Sequence, residues 1–303
     1  MAQYLNPRND LTFKRVFGEH KHLCMSLLNA LLPLEKPIVS IEYRTGELIP
    51  DRIEALRNSI VDVRCVDSEG RHFIVEMQLY WTESFMQRML FSASKVYVSQ
   101  LDKGEDYELL QPVYALALVD SIFEKSPEKR DEYFHHYKIV NIKDTEKQIK
   151  GLEFLFVELP KFKPRNRAEK RLHELWLRFL TEIDEGTTEV PQELLDFEHT
   201  REAIGYMEQA AYTTKQMESY DKIKLDKMTA RAALSDMWDG GRAEGRAEGR
   251  AEGRAEGRAE GLVEGEAKGR AELIANALRS GLSPEAISDF SGLTPEEIRK
   301  MAK

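Results

Sequence analysis

Apolar residues recur at three- and four-residue steps through "NDLTFKRVFGEHKHLCMSLLNALLP": Phe13, Val16 and Phe17, then Leu23, Leu27, Leu28 and Leu31. That spacing predicts amphipathic helix, ended by Pro33. The pattern then shifts towards alternation. "PIVSIEYR" reads as a strand, and "SIVDVRCVD" and "HFIVEMQLY", joined by the short "SEGR", read as a hairpin. Helical spacing returns in "TESFMQRMLFSASKVYVSQLDKG", with Thr82 placed as N-cap and Phe85, Met89, Leu90, Ala93, Val96 and Tyr97 forming a stripe. "LQPVYALALVDSIF" has the length and β-rich content of a buried strand, and "YFHHYKIVNI" and "LEFLFVEL" predict two more.

The order helix, strand, hairpin, helix, strands predicts an α/β domain over 1–160. A helical region follows over 161–240, exemplified by "AEKRLHELWLRFLTEI" and "PQELLDFEHTREAIGYMEQAAY". A Gly-Arg-Ala-Glu repeat, helix or linker, occupies 241–269, and a small helical tail occupies 270–303. In the tail, Ser283-Pro284 and Thr294-Pro295 each set an N-cap residue before a proline at the first helical position. Gly281 and Gly292 stand where the preceding helices should stop.

Composition narrows the function. The apolar runs fall well short of the roughly 20 residues that a bilayer crossing needs. "MAQYLNPRND" has no apolar signal core. Cys24 and Cys65 have no metal-ligand spacing, so a cytoplasmic setting with no membrane partner is expected. A net charge of −9 means that any nucleic-acid contact needs a local basic patch. The candidate is "KFKPRNRAEKR", with Lys161, Lys163 and Arg165 at its head; a solvated basic linker is the competing reading. His135 and His136 lack spaced partners for zinc.

The chemistry concentrates in the hairpin. Glu76 and Gln78 in "IVEMQ" share one face of a strand, with Met77 opposite. With the expected register, Asp62 of "SIVDVR" comes close to them. Two carboxylates held together in apolar surroundings call for a cation, and hard oxygen ligands suit Mg²⁺ or Mn²⁺.

Asp62 on one strand and Glu76-x-Gln78 on the next resemble the PD-(D/E)XK nuclease superfamily, whose pattern is an acid on one strand and an acid-x-lysine on the next. Together, "NDLTFKRVFG", "VDVRCVDSEGRHFIVEMQ" and "QRMLFSASKVYVSQL" resemble the Rpn family of recombination-promoting nucleases, also described as transposases. The resemblance covers roughly residues 1–160. It implies a restriction-endonuclease-like core, a mixed central sheet flanked by helices, followed by an α-helical C-terminal region. It implies that Asp62 and Glu76 are metal ligands, with Gln78 where the superfamily usually has lysine. Asp10 and Lys14, four apart on the first helix, face the same way and are candidates to approach the site; a surface ion pair is the competing reading. Lys14, Arg88 and Lys95 are candidates for the missing cation, and Arg88, Lys95 and Tyr97 for contacts to DNA. The implied activity is metal-dependent DNA cleavage that promotes recombination or acts against invading DNA. The alternative is an inactive nuclease fold that works by assembly.

The repeat "GRAEGRAEGRAEGRAEGRAEG" puts Arg four residues from Arg and Glu four from Glu, which weakens an isolated helix. Each glycine costs up to about 1 kcal/mol relative to alanine. Its small-residue track and alternating charge predict self-association as a helix into a dimer or higher oligomer. The four-residue period predicts a right-handed supercoil. The family likeness adds a further partner, an internally initiated C-terminal fragment starting at Met228 or Met237. The tail's spacing also admits a helix-turn-helix, but its seven acids and six bases over 262–303 favour an oligomerisation element.

Overall fold

The computed structural model describes residues 3–44, 47–48, 59–60, 62–164 and 171–301. They form two compact units, 1–229 and 230–303.

The first unit is built on a six-stranded mixed sheet. In chain order its strands are β1 (Ile41–Arg44), β4 (Val63–Asp67), β5 (His72–Gln78), β6 (Val113–Val119), β7 (Phe134–Asn141) and β8 (Asp144–Glu158); the spatial order is β1-β4-β5-β6-β8-β7. β5, β6 and β8 run parallel, and the other pairs are antiparallel. A two-stranded ribbon, β2 (Glu47–Leu48) with β3 (Ser59–Ile60), interrupts the first predicted hairpin strand.

Alternation along the strands assigns each face. Phe73, Val75 and Met77 of β5 join Val63 and Cys65 of β4 in the larger core. That core also takes Phe13, Val16 and Phe17, and Leu23, Leu27 and Leu28 of α2 (Lys21–Leu31). Ile74 points the other way, packing with Val113, Ala115 and Ala117 of β6 beneath Phe85, Met89, Ala93 and Val96 of α3 (Glu83–Val98). The helix predicted at the start is broken into α1 (Asp10–Phe13), a π-helical turn (Lys14–Gly18) and α2. Single π-turns often accompany functional sites, because one inserted residue re-aims the side chains around it.

Residue 160 is not a boundary in packing. Trp176, Leu177, Phe179 and Leu180 of α4 (Leu172–Glu182), Leu194 of α5 (Gln192–Asp196) and Ala203 of α6 (Glu198–Gly205) belong to the core that holds Phe13 and Phe17. The Trp176 ring meets Phe17 edge-on at 5.3 Å, and its indole N–H donates to Ser26 Oγ at 3.0 Å.

α7 runs from Thr214 to Arg279 and carries the whole Gly-Arg-Ala-Glu repeat in one helix. What the sequence splits into a repeat and the first tail helix is continuous. In the second unit Ile274 packs with Ile287 of α8 (Pro284–Ser291) and Ile298 of α9 (Pro295–Met301). The caps lie where proline and glycine placed them. Ser283 Oγ accepts from Ala286 N, Glu297 Oε2 accepts from Thr294 N, and Gly281 and Gly292 take φ of +89° and +68°.

Candidate functional site

The parallel strands deliver their carboxyl ends to one end of the sheet. There β5 presents Glu76 and Gln78 on the α3 face, continuing the Ile74 side of its alternation. Asp62 lies one step beyond the Val63–Val75 pair, so the antiparallel register places it across from Glu76. Its Oδ2 accepts a hydrogen bond from Met77 N at 2.7 Å, which fixes the carboxylate against the end of β5. On the other side, Glu76 neighbours Ala117 of β6, a small side chain.

Each carboxylate has a cation beside it. Lys14 Nζ, from the first residue of the π-turn, stands 3.6 Å from Asp62 Oδ1. Arg88, from the second turn of α3, stands 3.6 Å from Glu76 Oε2 and donates to Gln78 Oε1 at 2.7 Å. Its guanidinium also lies 4.9 Å from the Phe85 ring centre. Gln78 Nε2 donates to Tyr80 O, so both ends of the amide are held.

Burial dominates the electrostatics of Glu76, which is only 6% exposed. Desolvation pushes its carboxyl up to about 7; Asp62 adds to the rise, while Arg88 and Lys14 oppose it. Two carboxylates crowded in low dielectric, one of them reluctant to ionise, form a donor set that a divalent cation would relieve. Mg²⁺ needs only one or two protein carboxylates, because waters and substrate phosphate complete its shell. Asp62 and Glu76 therefore fit such an ion, although no cluster of three or more His, Cys, Asp or Glu side chains suited to a metal occurs among the described residues.

Asp10 sits in the first turn of α1, where a negative charge suits a helix N-terminus. Lys95 lies over the Phe91 ring at 4.6 Å. Tyr97, about 13 Å along α3 from Arg88, packs on Gly151, where a Cβ would come within 3.2 Å of its hydroxyl. Tyr97 is thus a packing aromatic, remote from the acids. Lys161 requires a correction as a DNA contact, because it is buried. Its ammonium bonds Glu158 Oε2 at 2.6 Å and donates to the carbonyls of Lys129 and Glu132. Glu158 also bonds His135 Nε2, which accounts for that histidine. Lys163 is exposed, and Arg165 lies outside the described residues.

Two residues escaped the sequence reading. Arg8 bonds Asp120 Oδ1 at 2.9 Å, and Asp120 N donates to Gln78 O at 2.8 Å. The N-terminal segment is thereby tied to the strand ends beside the acids. The only sequence signal was Arg8's place directly before the "NDLTFKRVFG" motif.

No curated protein and no solved structure matches the chain significantly. A family model does match, over residues 7–233, and covers the sheet, the acid pair and α4 to α6. By fold, by the acids at the strand ends and by this match, the chain belongs to the PD-(D/E)XK nuclease family transposases.

Proposed function

We propose that this protein is a divalent-metal-dependent DNA endonuclease that hydrolyses phosphodiester bonds at the Asp62–Glu76 pair, in the service of recombination or against invading DNA. The observation that carries the reading is the pairing of a nearly buried Glu76 with Asp62 at the strand ends, each beside its own cation. When bound, Mg²⁺ or Mn²⁺ would supply Lewis acidity towards a phosphoryl oxygen and lower the pKa of its water.

The chain's own residues divide the remaining work. The Met77 N–H orients Asp62, while Lys14 balances its charge. Glu76, with its carboxyl near neutrality, gives up a proton readily once a cation approaches. Gln78 cannot supply the charge of the usual lysine, but its carbonyl oxygen holds Arg88, so a permanent cation stands beside that position. A guanidinium there can stabilise negative charge developing on phosphate oxygens.

Plasmid nicking with Mg²⁺ or Mn²⁺ tests the proposal. Wild type should nick, and Asp62→Asn should not; equal nicking by both would refute it. The second reading, a non-catalytic assembly protein, draws on the net charge of −9 and the glutamine at position 78. Under it, neither protein nicks in any metal.

Self-association is proposed for residues 230–303. α7 displays Leu262, Val263 and Leu273 to solvent, and α8 displays Phe290. A C-terminal fragment begun at Met228 or Met237 would carry these same surfaces. No helix among the described residues is long and apolar enough to cross a membrane.

A further inference from the structure

Beside the acid pair, the same face of the sheet carries two arginines and a histidine with little anionic compensation among the described residues. Strand register places Arg44 of β1 directly across from Arg64 of β4, and Arg64 across from Ile74 of β5. His72 stands two residues before Ile74, so Arg44, Arg64 and His72 share the face that bears Asp62 and Glu76. Arg64 is two residues from Asp62, a displacement of about 7 Å along the strand.

These three groups are poorly compensated. Arg64 Nε and His72 Nδ1 are both shielded from solvent and have no hydrogen-bond partner among the described residues. The acids nearby are weakly placed or already engaged. Glu42 stands 3.7 Å from Arg44, while Asp67 is held by Arg71 at 2.7 Å. Burial, then the charge of Arg64 and Arg44, drives His72 down to about 4. The two arginine charges facing each other in a partly buried place are costly unless an anion joins them.

We infer that Arg44, Arg64 and His72 form a phosphate subsite that receives the nucleic-acid backbone next to the Asp62–Glu76 pair. It rests on the nuclease reading and extends it, giving a strand of the substrate a lane from Arg44 through Arg64 to the acids. It also explains how a chain of net charge −9 holds a polyanion. The attraction is local to this face, so the net charge of the whole chain does not oppose it at the contact. Arg64 and Arg44 supply paired N–H donors, and the neutral His72 ring supplies one more N–H.

The test is DNA binding by the full chain in EDTA, read by fluorescence anisotropy of a labelled duplex over a salt series. Arg64→Gln should weaken binding and flatten the slope of log K against log salt by about 0.9, the value for one lost phosphate contact. Arg44→Gln, at a half-exposed position that tolerates substitution, should flatten it similarly; Arg64→Lys should restore the slope lost in Arg64→Gln. Wild-type affinity and slope in both glutamine variants, with melting temperatures unchanged, would overturn the subsite. So would a wild type with no measurable DNA affinity. The nicking assay separates the two readings. Nicking lost in Asp62→Asn, with an unaltered slope in Arg64→Gln, leaves the nuclease and removes the subsite. A flattened slope without nicking in any metal does the reverse.

Discussion

Arg88 reaches across from α3 to donate to Gln78 Oε1 at 2.7 Å, and in doing so stands 3.6 Å from Glu76. A cation is therefore present beside the strand position where the superfamily has its lysine, although it comes from a different element. Arg88→Gln should lower nicking by about 10²–10³, the cost of removing one oriented charge-stabilising donor. Gln78→Lys in the same background should recover part of that loss, since it returns a cation to the strand. Supercoiled-to-nicked plasmid conversion measures both.

Glu76 gives the metal-free protein a pH dependence of defined sign. Its carboxyl has an ordinary value of 4.5 and rises to about 7 in the fold. Below pH 4.5 it is protonated in both states. Between 4.5 and 7 the unfolded chain releases a proton that the fold keeps, so stability falls as pH rises and levels off above 7. Glu76→Gln should remove this decline and be the more stable protein at pH 8 in EDTA, by at most on the order of 3 kcal/mol. Urea melts at pH 5 and pH 8 check it; a wild type that gains on the variant over that interval would contradict the assignment.

Lys161 should prove structural. Glu158 is fully buried, and Lys161 and His135 hold one of its oxygens while Phe123 N and Glu124 N donate to the other. Lys161→Met removes the lysine cation from a buried carboxylate, at a cost of about 3–5 kcal/mol. Thermal unfolding of the variant measures the loss, and the salt slope of DNA binding should stay where it was.

The helices after residue 160 should be indispensable to the sheet. Trp176→Ala opens a cavity between α4 and Phe17 and should cost about 3–5 kcal/mol. A fragment of residues 1–160 should lack a cooperative melt, because it leaves one side of the larger core uncovered. Denaturation followed by circular dichroism tests both.

The repeat offers a clean helix experiment. A Cβ added at Gly245, Gly249, Gly253 or Gly257 would meet nothing within 4 Å. Alanine at each should therefore raise helicity in a 230–303 fragment, by up to about 1 kcal/mol per site. If the glycine track brings two chains together, the same changes should also weaken association in sedimentation. A fragment whose circular dichroism ignores concentration would sink the self-association proposal.

The sequence by itself determined the faces of the strands and the ends of the tail helices. Alternation fixed which residues of "HFIVEMQ" face α3 and which face the larger core, because side chains in a strand change sides at every residue. Proline, serine, threonine and glycine fixed the ends of α8 and α9, since caps answer local backbone needs. Only the tertiary structure decided which cations reach the acids. Lys14, Arg88 and Lys95 are equivalent on paper; a π-turn aims the first at Asp62, the second turn of α3 aims the second at Gln78, and the third stays over Phe91. Burial was equally out of reach. Lys161 sits in a run of basic residues that reads as a surface patch, yet a short helical turn after β8 folds it back onto Glu158. Charge pairing across distant segments depends on where strands and helices end in space, and no periodicity along a chain encodes that.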